Sequence, residues 1–144
     1  SLLFSSGMQG TLMASQIATG EENNLTIRIY GEKGGLRWSQ MEPNTLTLLW
    51  PDAPVQLART GTSFPGMGGT AAMHTRIPSG HPEGFIEAFA NLYRNFLIHL
   101  TAVTEGRDQD AILDYPSIRE GVRGMRFLEA VVASSAEGSA VKAL

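Results

Sequence analysis

Apolar residues return at spacings of three and four between Phe85 and Leu100, at Phe85, Phe89, Leu92, Tyr93, Phe96, Leu97 and Leu100. This rhythm predicts an amphipathic helix with Glu87, Asn91 and Arg94 on the opposite side of the cylinder. Pro82 suits the first helical position, where its missing N–H costs nothing, and Glu83 follows where a negative charge suits the helix dipole. The helix is expected from Pro82 to about Thr104, with His81 at its mouth and Glu105-Gly106 as its stop. Its apolar face must be buried against something. A second helix is expected over roughly residues 116 to 136. It places Ile118, Val122, Met125, Leu128 and Val132 on one face and Arg119, Arg123 and Arg126 on the other. Gly121 and Gly124 fall on the apolar face. Each lowers helix propensity by about 1 kcal/mol relative to Ala, which suggests a role in close backbone packing.

The first part of the chain alternates with period two instead. Residues 2 to 4 and 11 to 18 read as two strands joined through Ser5-Ser6-Gly7. After a polar link from Thr19 to Asn24, Leu25, Ile27 and Ile29 share one face of a strand and Thr26, Arg28 and Tyr30 the other. Gly31-Glu-Lys-Gly-Gly35 then turns the chain into Leu36-Arg-Trp-Ser39, a hairpin with a somewhat longer loop. Two short strands follow, Thr45 to Trp50 and Val55 to Arg59. Strands gathered first and helices gathered last predict an α+β class: a mostly antiparallel, open-faced sheet with helices packed on one face. The face carrying Thr26, Arg28 and Tyr30 suits either water or a second sheet, so a homodimer is expected. The tail from Glu137 to Leu144 is expected to add an extended segment.

Residues 60 to 80 carry Gly, Thr, Ser and Pro with little periodicity. A connection of this length leaves two readings open, a lid or partner-contact loop and plain flexibility.

Composition narrows the class. The 144 residues are 42% hydrophobic, enough for a single domain with a core. A net charge of -3 argues against nucleic-acid or anionic-membrane binding, which needs a surplus of Lys and Arg. No cysteine is present, which excludes disulfides and thiolate chemistry and is compatible with a cytoplasmic location. No apolar run is long enough to span a bilayer.

The candidate chemistry is sparse. The glycines at 31 to 35 are followed by strand alternation and not by a helix, so they read as a turn and not as a phosphate cradle. His74, His81 and His99 have no spacing with a carboxylate that suits a metal, and no serine sits in a hydrolase elbow. His74 carries no signal. His99 reads as a packed or surface histidine, and the Arg row of the second helix as a solvated face. His81 has two readings, a structural residue leading into the helix or a ring projecting into a cleft toward an anionic group.

Three segments in order resemble the C-terminal domain of the Gfo/Idh/MocA family of NAD(P)-dependent oxidoreductases. They are Leu25-Thr-Ile-Arg-Ile-Tyr-Gly-Glu-Lys-Gly-Gly-Leu-Arg-Trp38, Gly80-His-Pro-Glu-Gly-Phe-Ile-Glu-Ala-Phe89, and Tyr115-Pro-Ser-Ile-Arg-Glu-Gly-Val-Arg-Gly-Met-Arg-Phe-Leu-Glu-Ala-Val-Val-Ala-Ser134. The resemblance implies a two-domain dehydrogenase for a polyol, sugar or related CH–OH substrate. An N-terminal Rossmann domain would bind NAD or NADP, and the open sheet face would make the subunit interface. The family's Gly-x-Gly-x-x-Gly fingerprint, Glu-Lys-Pro segment and Asp-x-x-x-His pair are absent from this sequence. The expectation is therefore a C-terminal piece, residues 1 to 144 forming one substrate-binding and dimerisation domain that binds no cofactor and is inactive alone. By resemblance, substrate contacts fall on His81, Glu83, Phe85 and Phe89 around the long helix and on Glu21 and Asn23 before the Leu25 strand. The alternative is a stand-alone, non-catalytic binding or assembly module with the same fold.

Overall fold

Period-two alternation organises the sheet. The computed structural model describes residues 1–61, 68–108 and 114–143. Strands β1 (Leu2–Leu3) and β2 (Gln9–Gly10) form a small antiparallel pair, and β3 (Thr26–Gly31), β4 (Gly34–Ser39), β5 (Thr45–Leu49) and β6 (Gln56–Arg59) form an antiparallel meander in that spatial order. Helices α1 (Gly69–Met73), α2 (Phe85–Thr104) and α3 (Ile118–Ala136) follow. The class is α+β, as strands first and helices last require.

Cross-strand partners share a face of an antiparallel sheet. Ile27 pairs with Trp38, Ile29 with Leu36, Trp38 with Leu46, Leu36 with Leu48 and Leu46 with Ala58. These residues make one apolar face, and Arg28, Arg37 and Thr47 lie on the other. On β3 both faces are exposed.

Several boundaries differ from expectation. The first hairpin closes early: Leu2 pairs with Gly10, and Gly7, at φ 83°, turns the chain while its N–H donates to Phe4 O. Residues 11 to 18 form no strand, and Leu12, Met13 and Ile17 are exposed, because among the described residues no strand pairs with them. The β3–β4 loop is tighter than expected, with only Glu32 and Lys33 between the paired Gly31 and Gly34. A Cβ at Gly34 would lie 3.0 Å from the Leu49 carbonyl oxygen and from the Trp50 ring, so any side chain at this corner would require its neighbours to shift by a few tenths of an ångström. Helix α1 has no periodic signature and was not expected; residues 62–67 of the same connection lie outside the described residues, so the lid or partner-contact reading is not addressed there. The described part of the tail, residues 137–143, adds no strand: Gly138 and Ser139 both have positive φ, and Lys142 pairs with the Glu137 carboxylate at 2.6 Å.

Helix α2 starts at Phe85, three residues later than Pro82. Its first peptide groups are capped by Glu87, whose carboxylate accepts the Gly84 N–H at 2.8 Å. Helix α3 begins where expected to within two residues; Ser117 caps it, accepting the Arg119 N–H at 3.1 Å.

The largest departure is which side of α2 is buried. Asn91, Asn95 and Ala102 are buried, whereas Phe85 is 63% and Tyr93 68% exposed, and Phe89, Phe96, Leu97 and Leu100 are exposed as well. At about 100° per residue, the centre of the buried row lies more than a third of a turn from the centre of the apolar stripe. On α3, likewise, Ile118 is 85% exposed and Val132 70%. A Cβ at Gly121 or Gly124 would touch nothing within 4 Å, so among the described residues no partner element uses the close approach that these glycines permit. The accessible surface of 11867 Å² compares with about 7,200 Å² for a typical folded chain of this mass. Much of the surface that would normally be core is open.

Candidate functional site at one end of the sheet

The β4–β5 connection, Gln40 to Asn44, is a knot of short-range bonds. Trp38 Nε1 donates to Pro43 O at 3.0 Å, Glu42 N to Ser39 O at 3.1 Å, and Thr45 N to Glu42 O at 3.1 Å. Its two ends carry amide side chains. Gln40 Nε2 donates to Asn23 O at 2.9 Å, and Gln40 N to Leu25 O at 2.9 Å, which holds the lead-in to β3. Asn44 faces the other way: Nδ2 donates to Glu83 O at 2.7 Å and Oδ1 accepts Glu83 N–H at 3.1 Å.

Glu21 and Asn23 on one side, and His81 and Glu83 on the other, are thus drawn to the same end of the sheet by one loop. Within the first group, Glu21 accepts from Asn24 Nδ2 at 2.5 Å, and the Asn23 side chain makes no described hydrogen bond. Within the second, the Glu83 carboxylate accepts the Arg76 N–H at 2.8 Å. No hydrogen bond among the described residues joins the two groups directly. Phe85 and Phe89 stand on the first turns of α2 with ring centroids 4.6 Å apart, exposed and tilted by 44°.

His81 is not at the helix mouth. It lies four residues before Phe85, in a turn where its N–H donates to Pro78 O at 3.2 Å and Nδ1 contacts the same oxygen at 3.1 Å. A carbonyl can only accept, so Nδ1 carries the hydrogen of the neutral ring and Nε2 is the acceptor. Nε2 has no partner among the described residues, and the ring is exposed. Glu83 is likewise not in the first helical turn; that position belongs to Glu87. The Gly84 N–H bound to the Glu87 carboxylate holds its pKa below the ordinary value, and Arg76 contributes in the same direction.

Behind this end lies a polar network that the sequence reading missed. Arg76 Nε donates to Asn91 Oδ1 at 2.9 Å, and Asn91 Nδ2 to His74 O at 2.8 Å. Asn95 Nδ2 reaches His74 Nε2 at 2.7 Å and Asp114 O at 2.8 Å. These bonds are why the polar row of α2 is the buried one: it grips the backbone on both sides. Two asparagines four apart on a helix were the available signal. His99 is half-buried, its Nδ1 bonded to the Tyr115 hydroxyl, and Phe96 meets Tyr115 edge-on at 5.6 Å, in keeping with a packed histidine.

Among the described residues no group of three metal-ligating side chains occurs and no helix is long and apolar enough to cross a membrane. The Gly31–Gly35 stretch does not fit a dinucleotide either, because its glycines close β3 onto β4 and open no helix.

The model of the oxidoreductase family C-terminal alpha/beta domain matches residues 1–143. The chain belongs to the Gfo/Idh/MocA oxidoreductase family. It is 33% identical over 139 residues to the uncharacterized oxidoreductase YfiI of Bacillus subtilis, covering 94% of this chain and 34% of that protein. An oxidoreductase from Sinorhizobium meliloti has the same fold with a TM-score of 0.77 at 41% identity, over 89% of this chain and 35% of its own. An inositol dehydrogenase homolog from Azotobacter vinelandii, solved with NAD+, matches with a TM-score of 0.76 at 34% identity, over 88% and 32%. The same homolog with NADH and myo-inositol matches at 35% identity and a TM-score of 0.69, over 80% and 30%. This Gfo/Idh/MocA chain therefore spans about a third of the length of these relatives.

Proposed function

We propose that this chain is the substrate-binding and oligomerisation domain of an NAD(P)-dependent dehydrogenase acting on a polyol or sugar-like CH–OH substrate in the cytoplasm. The observation that carries the reading is the sheet end where one loop gathers Asn23 and the segment from His81 to Phe89, in a chain that resembles an inositol dehydrogenase homolog solved with NADH and myo-inositol. An exposed imidazole with Nε2 as acceptor, an uncommitted Asn23 amide and an aromatic pair suit a ligand that is hydroxyl-rich on its edges and apolar on its ring faces.

The residues here bind and orient. In the family the nicotinamide takes the hydride and a lysine and histidine handle the proton, and the segments that carry those two residues are not in this sequence. The chain alone would then be inactive and bind no NAD(H). The exposed stripe of α2 would be covered by the rest of the polypeptide, including an N-terminal Rossmann domain, and a second copy would pair through the sheet face that carries Arg28 and Tyr30.

The test begins with the intact mass of the native protein, recovered with an antibody against this domain. A mass well above twice 15.5 kDa, with polyol-dependent reduction of NAD or NADP, supports the proposal. A mass near 15.5 kDa points to a stand-alone binding module instead.

A further inference from the structure

Two fastenings hold the segment that carries His81, and both are made to the same corner of the sheet. At the first, Gly61 has φ 75°, and a Cβ there would stand 2.8 Å from Ser79 N and 2.9 Å from Ser79 Cα, so the backbones of the β6 exit and the 78–79 turn are in close contact. At the second, the Asn44 amide engages both the N–H and the C=O of Glu83. Only Gly80, His81 and Pro82 lie between them. The position of the His81 ring is therefore set by the sheet more than by α2, which begins two residues beyond Glu83.

We propose that Asn44 is a positioning residue of the candidate site: by holding the Glu83 peptide it fixes where His81 and Phe85 stand relative to Asn23. The proposal rests on the polyol-binding reading above. An asparagine amide offers one acceptor and two donors on a short side chain, so it can face a single residue's N–H and C=O as a neighbouring strand would. Its orientation is determined: Oδ1 must face the Glu83 N–H and Nδ2 the Glu83 carbonyl. Thr60 reinforces it, donating its hydroxyl to Asn44 Oδ1 at 3.1 Å and its N–H to Asn44 O at 3.1 Å. Glu83 is half-buried and belongs to no ladder, so these are the bonds that satisfy its backbone. Asn44 and Gln40 sit in one five-residue loop, so a shift of Asn44 separates the His81 side of the site from the Asn23 side.

The test uses the full-length protein with the probes NADH and myo-inositol. Asn44→Ala, Asn44→Asp and His81→Ala are compared by calorimetry and by amide hydrogen exchange at Glu83. Asn44→Ala is expected to speed Glu83 exchange and to weaken myo-inositol binding about tenfold with NADH affinity unchanged. Asn44→Asp keeps the acceptor but sets a carboxylate oxygen against the Glu83 carbonyl, so it should weaken myo-inositol binding at least as much as Asn44→Ala. His81→Ala should weaken myo-inositol without changing Glu83 exchange. Faster exchange in Asn44→Ala with wild-type myo-inositol affinity overturns the positioning role, as does unchanged exchange. Loss of NADH and myo-inositol binding together shows general destabilisation and overturns it too. If the wild type binds neither myo-inositol nor other polyols while Asn44→Ala still frees the Glu83 amide, the substrate reading has failed. Asn44 then fastens the loop and nothing more.

Discussion

Asn95 donates to Nε2 of His74 at 2.7 Å across 21 positions of sequence, and at the same time His74 Nδ1 meets Thr70 O at 2.6 Å. The two contacts determine the tautomer: Nδ1 bears the hydrogen that Thr70 accepts, and Nε2 is the lone pair that Asn95 needs. The amide's other hydrogen goes to Asp114 O, so a residue that is 1% exposed joins α1, α2 and the lead-in to α3. Replacing Asn95 with Ala strands an imidazole nitrogen and a carbonyl together. The expected cost is about 1–3 kcal/mol in denaturant unfolding, with the His74 nitrogen resonances shifting as Nε2 loses its donor.

Leu100 gives the opposite expectation. It stands on the open stripe of α2, so Leu100→Ala in this chain should change stability by no more than about 0.5 kcal/mol. In a full-length protein that covers the stripe, the same change should cost about 2–5 kcal/mol. Equal effects in both would show that the stripe stays open.

Gly124→Ala offers a test whose sign can reverse. Nothing lies within 4 Å of a Cβ at that position, so the isolated chain should gain up to about 1 kcal/mol in helix propensity. If another element packs closely there in the full-length protein, the gain becomes a loss. Thermal midpoints of the two forms, each with and without the substitution, decide it.

Acid should loosen the two helix starts. Glu87 and Glu120 both have pKa values below the ordinary one, the first through the Gly84 N–H, the second through the Ser117 hydroxyl and backbone N–H groups. A depressed folded-state value means that the capping contribution is fully present above the unfolded glutamate's value of about 4.3 and is lost as the pH falls through the lower folded value. Helical circular dichroism should therefore fray below about pH 4, and Glu87→Gln with Glu120→Gln should flatten that dependence. A pH profile identical in the double variant would remove the caps as its cause.

The sheet was legible because its alternation is regular from Leu25 to Arg59 and glycines and prolines punctuate it. The α3 boundary was legible from the apolar rhythm that starts at Ile118. The start of α2 was not, because Pro82 and Glu83 carry every local mark of a helix start, yet the Glu83 peptide is taken by Asn44, 39 residues away. Pattern along the chain cannot register a competitor that arrives from another element. For the same reason His74, Arg76, Asn91 and Asn95 stayed silent: each is an ordinary polar residue until the fold places backbone groups beside it. Of the residues implied by resemblance, His81, Glu83 and Asn23 do collect at one end of the sheet, through Gln40 and Asn44, which carried no signal of their own.

The bare stripe of α2 has a calorimetric consequence. A side chain already in water adds nothing to the heat capacity when the chain unfolds, so the increment for these 144 residues should fall below the ~12–15 cal/mol/K per residue of ordinary domains. The denaturant slope should be shallow for the same reason. Melting would be broad, and sharp cooperativity would be a property of whatever covers Tyr93 and its neighbours.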